Sequence, residues 1–281
     1  MVKITLLESD EKYAKIILED IPLAIANALR RNIINEVPTM AIEEILVLEN
    51  SSAMSDEVLA HRLALIPFIS DIDNYVLPEK CDCGSKLGCN KCVVRYTLIK
   101  EANEDFLTVY SGDMVPEDPN TKVVPVSKNI PIVKLAPGQK ISLELYVRVG
   151  IGAKNAKWQS GIATLKNMPS IAIDYKKCDL CKKCIEICAK KILFIKNGKI
   201  FFENIYDCTL CKDCIKACPK DPPAISINEV NNSFILYIES FGFLSPFRMF
   251  KEAIKVLQQK LEEFEKNIKI LKGERNEKIQ D

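Results

Sequence analysis

Eight of the twelve cysteines stand in two copies of one spacing. Cys178, Cys181, Cys184 and Cys188 form the first copy, and Cys208, Cys211, Cys214 and Cys218 the second. Each reads C-x2-C-x2-C-x3-C, offset by 30 residues from 178 to 208. Thiolates at this spacing suit an iron–sulfur cube, because two intervening residues let one tight loop reach three of its corners. The fourth cysteine, expected at the start of a short helix, reaches across to the other cluster. The ligand sets are then Cys178, Cys181, Cys184 and Cys218, and Cys208, Cys211, Cys214 and Cys188. One or two 4Fe–4S clusters are expected. One position departs from the repeat: Ala189 follows Cys188, whereas Pro219 follows Cys218.

The other four cysteines, Cys81, Cys83, Cys89 and Cys92, read C-x-C-x5-C-x2-C. Four thiolates on a short loop could close a tetrahedral site suited to structural zinc. Pairing among themselves, or a reduced surface loop, are the alternatives. No histidine stands nearby, so a catalytic zinc with an open position is not expected. Cysteine clustering of this kind points to metal in a reducing compartment, with a disulfide scaffold as the competing reading.

Nothing else in the chain reads as a catalytic centre. There is no G-x-G-x-x-G after a strand, no phosphate-binding G-x-x-x-x-G-K-[ST] and no G-x-S-x-G elbow. The single histidine, His61, lies in an apolar helical run without a nucleophile or metal ligand beside it. A net charge of +1 gives no global field for nucleic acid or membrane. No stretch reaches 18 apolar residues and no signal peptide is evident, so a cytoplasmic protein is expected.

Stepping outward, the elements that must hold these cysteines are legible. "ILFIKNGKIFF" (192–202), between the two copies, reads as a hairpin turning at Asn197-Gly198. Strand-like segments fall at 2–7 and 13–18, and again at 224–228 and 233–239. Residues 123–152 are β-branched and turn-rich. A helix is expected over 21–37, with Ile25, Ala28, Leu29, Ile33 and Val37 on its apolar face and Arg30 and Arg31 beside it. From Phe247 the apolar residues are Phe250, Ile254, Leu257, Leu261, Phe264, Ile268 and Leu271, in alternating steps of three and four. That 3.5-residue period describes a helix packing along another helix. The other helix could belong to a partner or to this chain. Ser245 is placed to cap it and Pro246 to begin it.

These parts make an α+β protein built from both ends of the chain. Residues 1–40 and 224–281, with the helix 246–271, would form one discontinuous domain. Residues 41–170 would be an inserted β-rich domain carrying the 81–92 loop, and 171–223 an iron–sulfur insert.

"LAIANALRRNIINEVPTMAIEEI" (23–45) and "LAHRLALIPF" (59–68) resemble two signatures of the alpha-like assembly subunits of multisubunit RNA polymerases. "IPIVKLAPGQKISLEL" (130–145) and "AKWQSGIATL" (156–165) are similar to the archaeal members, and the cysteine repeat is that of a bacterial-type ferredoxin. The resemblance spans nearly the whole chain. It implies a split dimerisation domain and no active site in this subunit. It implies pairing with a small alpha-like subunit, called L in archaea, through the 21–37 and 246–271 helices. Small subunits N and P and the two large catalytic subunits would join that pair, and DNA would be met only through the complex. The loop at Cys81, Cys83, Cys89 and Cys92 resembles a zinc site of the eukaryotic relatives. Two other readings remain. One is an electron-transfer subunit of an oxidoreductase. The other is a direct nucleic-acid binder using the lysine-rich 176–221 segment.

Overall fold

The computed structural model describes residues 1–277, with side chains described up to Ile270. In chain order the elements begin with β1 (Lys3–Ser9), β2 (Tyr13–Glu19), α1 (Leu23–Asn35), β3 (Pro38–Asn50) and α2 (Asp56–Ala64). The β-rich middle holds β4 (Val93–Glu101), β5 (Leu107–Tyr110), β6 (Val115–Pro116), β7 (Pro131–Leu135), β8 (Lys140–Ile151) and β9 (Gly161–Ile173). The cysteine repeat contains α3 (Lys183–Glu186), β10 (Leu193–Lys196), β11 (Lys199–Phe202) and α4 (Asp213–Lys216). β12 (Ile225–Ser240) and α5 (Pro246–Glu277) close the chain.

The chain divides into two compact units. The first comprises Met1–Glu8, Lys15–Asn27 and Thr164–Tyr237. It carries most of a four-stranded sheet in the order β1-β2-β12-β9 and the two-stranded hairpin β10-β11. The hairpin turns at Asn197 (φ +50°) and Gly198 (φ +67°), as the Asn-Gly pair requires. Its register sets Leu193 opposite Phe202 and Ile195 opposite Ile200. Leu193 and Ile200 are buried with Ile171, Ile192, Ile225, Ile227 and Cys184, Cys208 and Cys214. One buried cluster of this unit is thus built around its cysteines, apart from the Ile16, Leu18, Ile235 and Leu236 side chains buried elsewhere in it.

The expected strands at 224–228 and 233–239 are one continuous strand, β12. The polar stretch Asn228–Asn232 between them is exposed, and Asn232 adopts φ +50°. The expected boundary at residue 170 falls inside β9, whose sheet also contains β1, β2 and β12. The strand continues past Pro169, which cannot donate a ladder hydrogen bond and reads in sequence as a break.

The second unit comprises Ser9–Ala14, Ala28–Ala163 and the described residues from Ile238 onward. Its sheet has the order β3-β8-β4-β6, and β5 pairs with β7. β8 lies antiparallel to both β3 and β4. Alternate residues of these strands, among them Met40, Ile42, Tyr96, Leu98, Leu143 and Leu145, are buried with Leu59 and Leu63 of α2. Gly150 of β8 has a local reason: a Cβ there would meet the Trp158 ring at 2.2 Å. The indole lies against bare backbone and donates from Nε1 to the Arg148 carbonyl at 3.2 Å.

Candidate metal centres and pairing surface

The cysteine repeat uses the same backbone twice. Leu180 and Leu210, and Lys182 and Lys212, all sit in the left-handed region, with φ of 60°, 58°, 66° and 63°. Side-chain-bearing residues rarely adopt this conformation, and such strain marks places where a ligand dictates the turn.

Two cavities result, and each is lined by cysteines from both copies. Cys178, Cys181, Cys184 and Cys218 line the first, with Ile173, Ile200 and Ile225 behind them. Cys188, Cys208, Cys211 and Cys214 line the second, with Ile171, Leu193 and Ile227. The fourth cysteine of each copy therefore turns toward the other copy's loop. One detail of the sequence expectation is corrected. Cys188 and Cys218 do not begin a helix. They follow α3 and α4, after the end residues Ile187 and Ala217, and the third cysteines lie inside those helices. Their place just past a helix end swings them away from their own loop.

The electrostatics agree with a cationic core. Burial pushes Cys214 up to about 11, and the neighbouring sulfurs of Cys211, Cys208 and Cys188 push the same way. Cys184 is raised by burial, then by Cys178, Cys181 and Cys218. Thiolates gathered in an apolar cavity repel one another unless iron neutralises them. The donor set and cavities fit one 4Fe–4S cluster each.

The loop of Cys81, Cys83, Cys89 and Cys92 gathers its four sulfurs within 4.8 Å of one another. Cys81 to Cys89 is 3.7 Å, and Cys92 lies 3.9 Å from both Cys83 and Cys89. A tetrahedron with metal–sulfur bonds of about 2.3 Å has edges of about 3.8 Å. A disulfide would need about 2.05 Å. The Lys91 backbone N–H holds Cys89 down to about 7. The Cys83 N–H draws Cys81 down, but neighbouring thiols and desolvation outweigh it and leave Cys81 at about 12. The loop turns through Gly88 (φ +83°), where a Cβ would strike Val93 at 2.3 Å. Cys92 and Val93 are buried with Tyr146.

The sequence alone did not reveal Arg148. From β8 it donates through Nη2 to the Lys86 carbonyl in this loop and through Nη1 to Glu44 Oε1 at 3.1 Å. It pins the loop to the sheet, but stands 56 residues beyond Cys92, from 92 to 148, with no motif to flag it.

The two expected pairing helices meet within the second unit. Asn32 Nδ2 of α1 donates to the Ala253 carbonyl of α5 at 3.4 Å, and Lys260 pairs with Glu36 at 2.7 Å. The Ser245 hydroxyl accepts from the Arg248 N–H at 3.4 Å, capping α5. α5 buries Met249, Phe250 and Ala253 in its first turns, and Leu257 and Ile268 are half-buried. Phe247, Ile254, Leu261 and Phe264 are exposed. The side chain of Leu271, the last seam position, lies outside the described residues. On α1, Ala26, Leu29 and Ile33 are buried, as is Val37 just beyond its end at Asn35, while Leu23 and Ile25 are exposed. Ile25 therefore does not belong to the buried face the periodicity suggests. Ala26 begins it, in steps of three, four and four. Arg30 is half-buried and Arg31 exposed.

Residues 44–174 match the family model "RNA polymerase Rpb3/RpoA insert domain", and residues 162–222 match "4Fe-4S dicluster domain". The DNA-directed RNA polymerase subunit Rpo3 of Methanosphaera stadtmanae is 36% identical, covering 92% of this chain and 96% of its own. That of Archaeoglobus fulgidus is 38% identical over 95% and 98%, and that of Pyrobaculum arsenaticum 36% over 98% and 100%. The chain belongs to the archaeal Rpo3 family. In this Rpo3 chain the cysteines from 178 to 218 form a dicluster domain supporting one or two 4Fe–4S clusters, and Cys81, Cys83, Cys89 and Cys92 can bind a metal. Among the described residues, no helix is long and apolar enough to cross a membrane.

Proposed function

We propose that this chain is the non-catalytic assembly platform of an archaeal DNA-directed RNA polymerase. It pairs first with the small alpha-like subunit L, then, with subunits N and P, receives the two large catalytic subunits. The carrying observation is the α5 seam: an apolar stripe of helical period, anchored at its start and exposed at Ile254, Leu261 and Phe264. An exposed stripe of this length is a surface awaiting a helix. Ile254, Leu257, Leu261, Phe264, Ile268 and Leu271 would line it beyond the anchor Phe250, with Arg30 and Arg31 of α1 beside them. The complex works in the cytoplasm and meets DNA through its other subunits.

The clusters serve the platform as structural members. Cys178, Cys181, Cys184 and Cys218 hold one and Cys188, Cys208, Cys211 and Cys214 the other, while Cys81, Cys83, Cys89 and Cys92 hold zinc. When bound, the iron supplies cross-linking of two chain segments and a one-electron couple. The segment around the cysteine repeat, whose buried cluster is largely cysteine and isoleucine, depends on that cross-link. The electron-transfer reading explains the cysteine repeat but not the Rpo3 likeness along the rest of the chain.

Co-expression with subunit L followed by size exclusion tests the proposal. A stable one-to-one pair that then binds the large subunits is expected. A chain that stays monomeric beside L, with its clusters loaded, overturns it.

A further inference from the structure

The two cluster cavities differ in charge. In the first, Asp179 and Lys220 are the charged residues at the wall among the described residues, and they pair with each other at 2.9 Å. Behind the second, Lys166 of β9 donates from Nζ to the carbonyl of Tyr206 and, at 3.3 Å, to that of Cys208. The ammonium is thus fixed on the backbone of a cluster cysteine. Among the described residues no carboxylate lies within 4.0 Å of it. Lys15 secures the same loop by pairing with Asp207 at 2.7 Å and Glu8 at 3.6 Å. Lys190 adds an exposed cation to the cavity wall, where Asp213 is matched by Lys216 at 3.5 Å.

A half-buried ammonium with no carboxylate in direct contact is costly, and Asp207, which pairs directly with Lys15, acts on Lys166 only through space. Four thiolates around an oxidised 4Fe–4S core carry net negative charge, and one-electron reduction adds another. A fixed cation stabilises the reduced state more than the oxidised one, and net charge is one of the factors that set such potentials. A countervailing feature acts at the first cavity: the Ala224 N–H donates to Cys218 Sγ at 3.4 Å. A neutral amide dipole is weaker than a full charge.

From this asymmetry we infer that Lys166 tunes the cluster on Cys188, Cys208, Cys211 and Cys214. It holds that cluster at the higher reduction potential, so that it takes the first electron. The inference rests on the ligand sets proposed above.

The test is an anaerobic potentiometric titration with dithionite, followed by electron paramagnetic resonance, on the full chain paired with L. Iron and sulfide are assayed in every sample. Cys181→Ser should leave only the higher-potential step and Cys211→Ser only the lower. Lys166→Gln should shift the higher step to a more negative potential and leave the lower in place, and Lys166→Arg should restore it. Equal or reversed potentials in the two cysteine variants overturn the inference, as does a Lys166→Gln titration identical to wild type. Wild-type protein without cluster iron overturns the ligand assignment itself and this inference with it.

Discussion

Phe264→Ala separates pairing from folding. Phe264 is 63% exposed on α5. A phenylalanine presents about 200 Å², so about 125 Å² awaits a partner, and covering it contributes about 3 kcal/mol at ~25 cal/mol/Å². Alanine keeps a fraction of that contact, so the loss should be about 2–3 kcal/mol, roughly 30- to 150-fold in Kd. The same change removes almost nothing from the lone chain, whose stability should move by less than about 0.5 kcal/mol. Phe250→Ala provides the contrast. Phe250 is only 8% exposed, so truncation should cost about 3–5 kcal/mol of folding stability. Titration calorimetry against L, with urea unfolding of each chain alone, measures both quantities. A Phe264→Ala chain that binds L within about 3-fold of wild type would refute the seam as the pairing surface.

Three further outcomes follow from particular contacts. Metal analysis of Cys89→Ser should show loss of zinc with cluster iron retained, because the two sets of cysteines lie in different compact units; iron lost in parallel would contradict separate sites. Asp73 is held below the ordinary carboxylate range by its hydrogen bond from Arg248. With the folded value depressed, the pair's contribution is present above about pH 4 and is lost as pH falls through the folded value. Urea midpoints of wild type and Asp73→Asn should therefore differ near pH 6, and the difference should shrink as the pH falls below the ordinary carboxylate range. Gly150→Ala forces a methyl into the Trp158 ring; it should destabilise the chain by about 1–3 kcal/mol in urea unfolding.

The metal centres were legible because their ligands are local. Cys81 to Cys92 and each ferredoxin-like copy lie within a dozen residues, so spacing alone encodes geometry, and the cavities gather the crossed sets the spacing implied. The α5 stripe was equally legible, since a helix repeats its face every three or four residues. What sequence could not show depends on distant pairing. β12 runs through a polar stretch that reads as a break, in which Asn232 turns left-handed without ending the strand. Lys166 stands 42 residues before Cys208, from 166 to 208, and Arg148 is equally remote from its loop. On α1 the buried face starts at Ala26 rather than Ile25, since tertiary packing chose between two nearly equivalent stripes.

The most direct test is affinity purification of this chain from its host under anaerobic conditions, with native mass spectrometry and iron analysis of what co-elutes. The account predicts the two large polymerase subunits, a small alpha-like partner, and cluster iron on this chain. Recovery with flavin- or molybdenum-dependent subunits in place of the polymerase would contradict it.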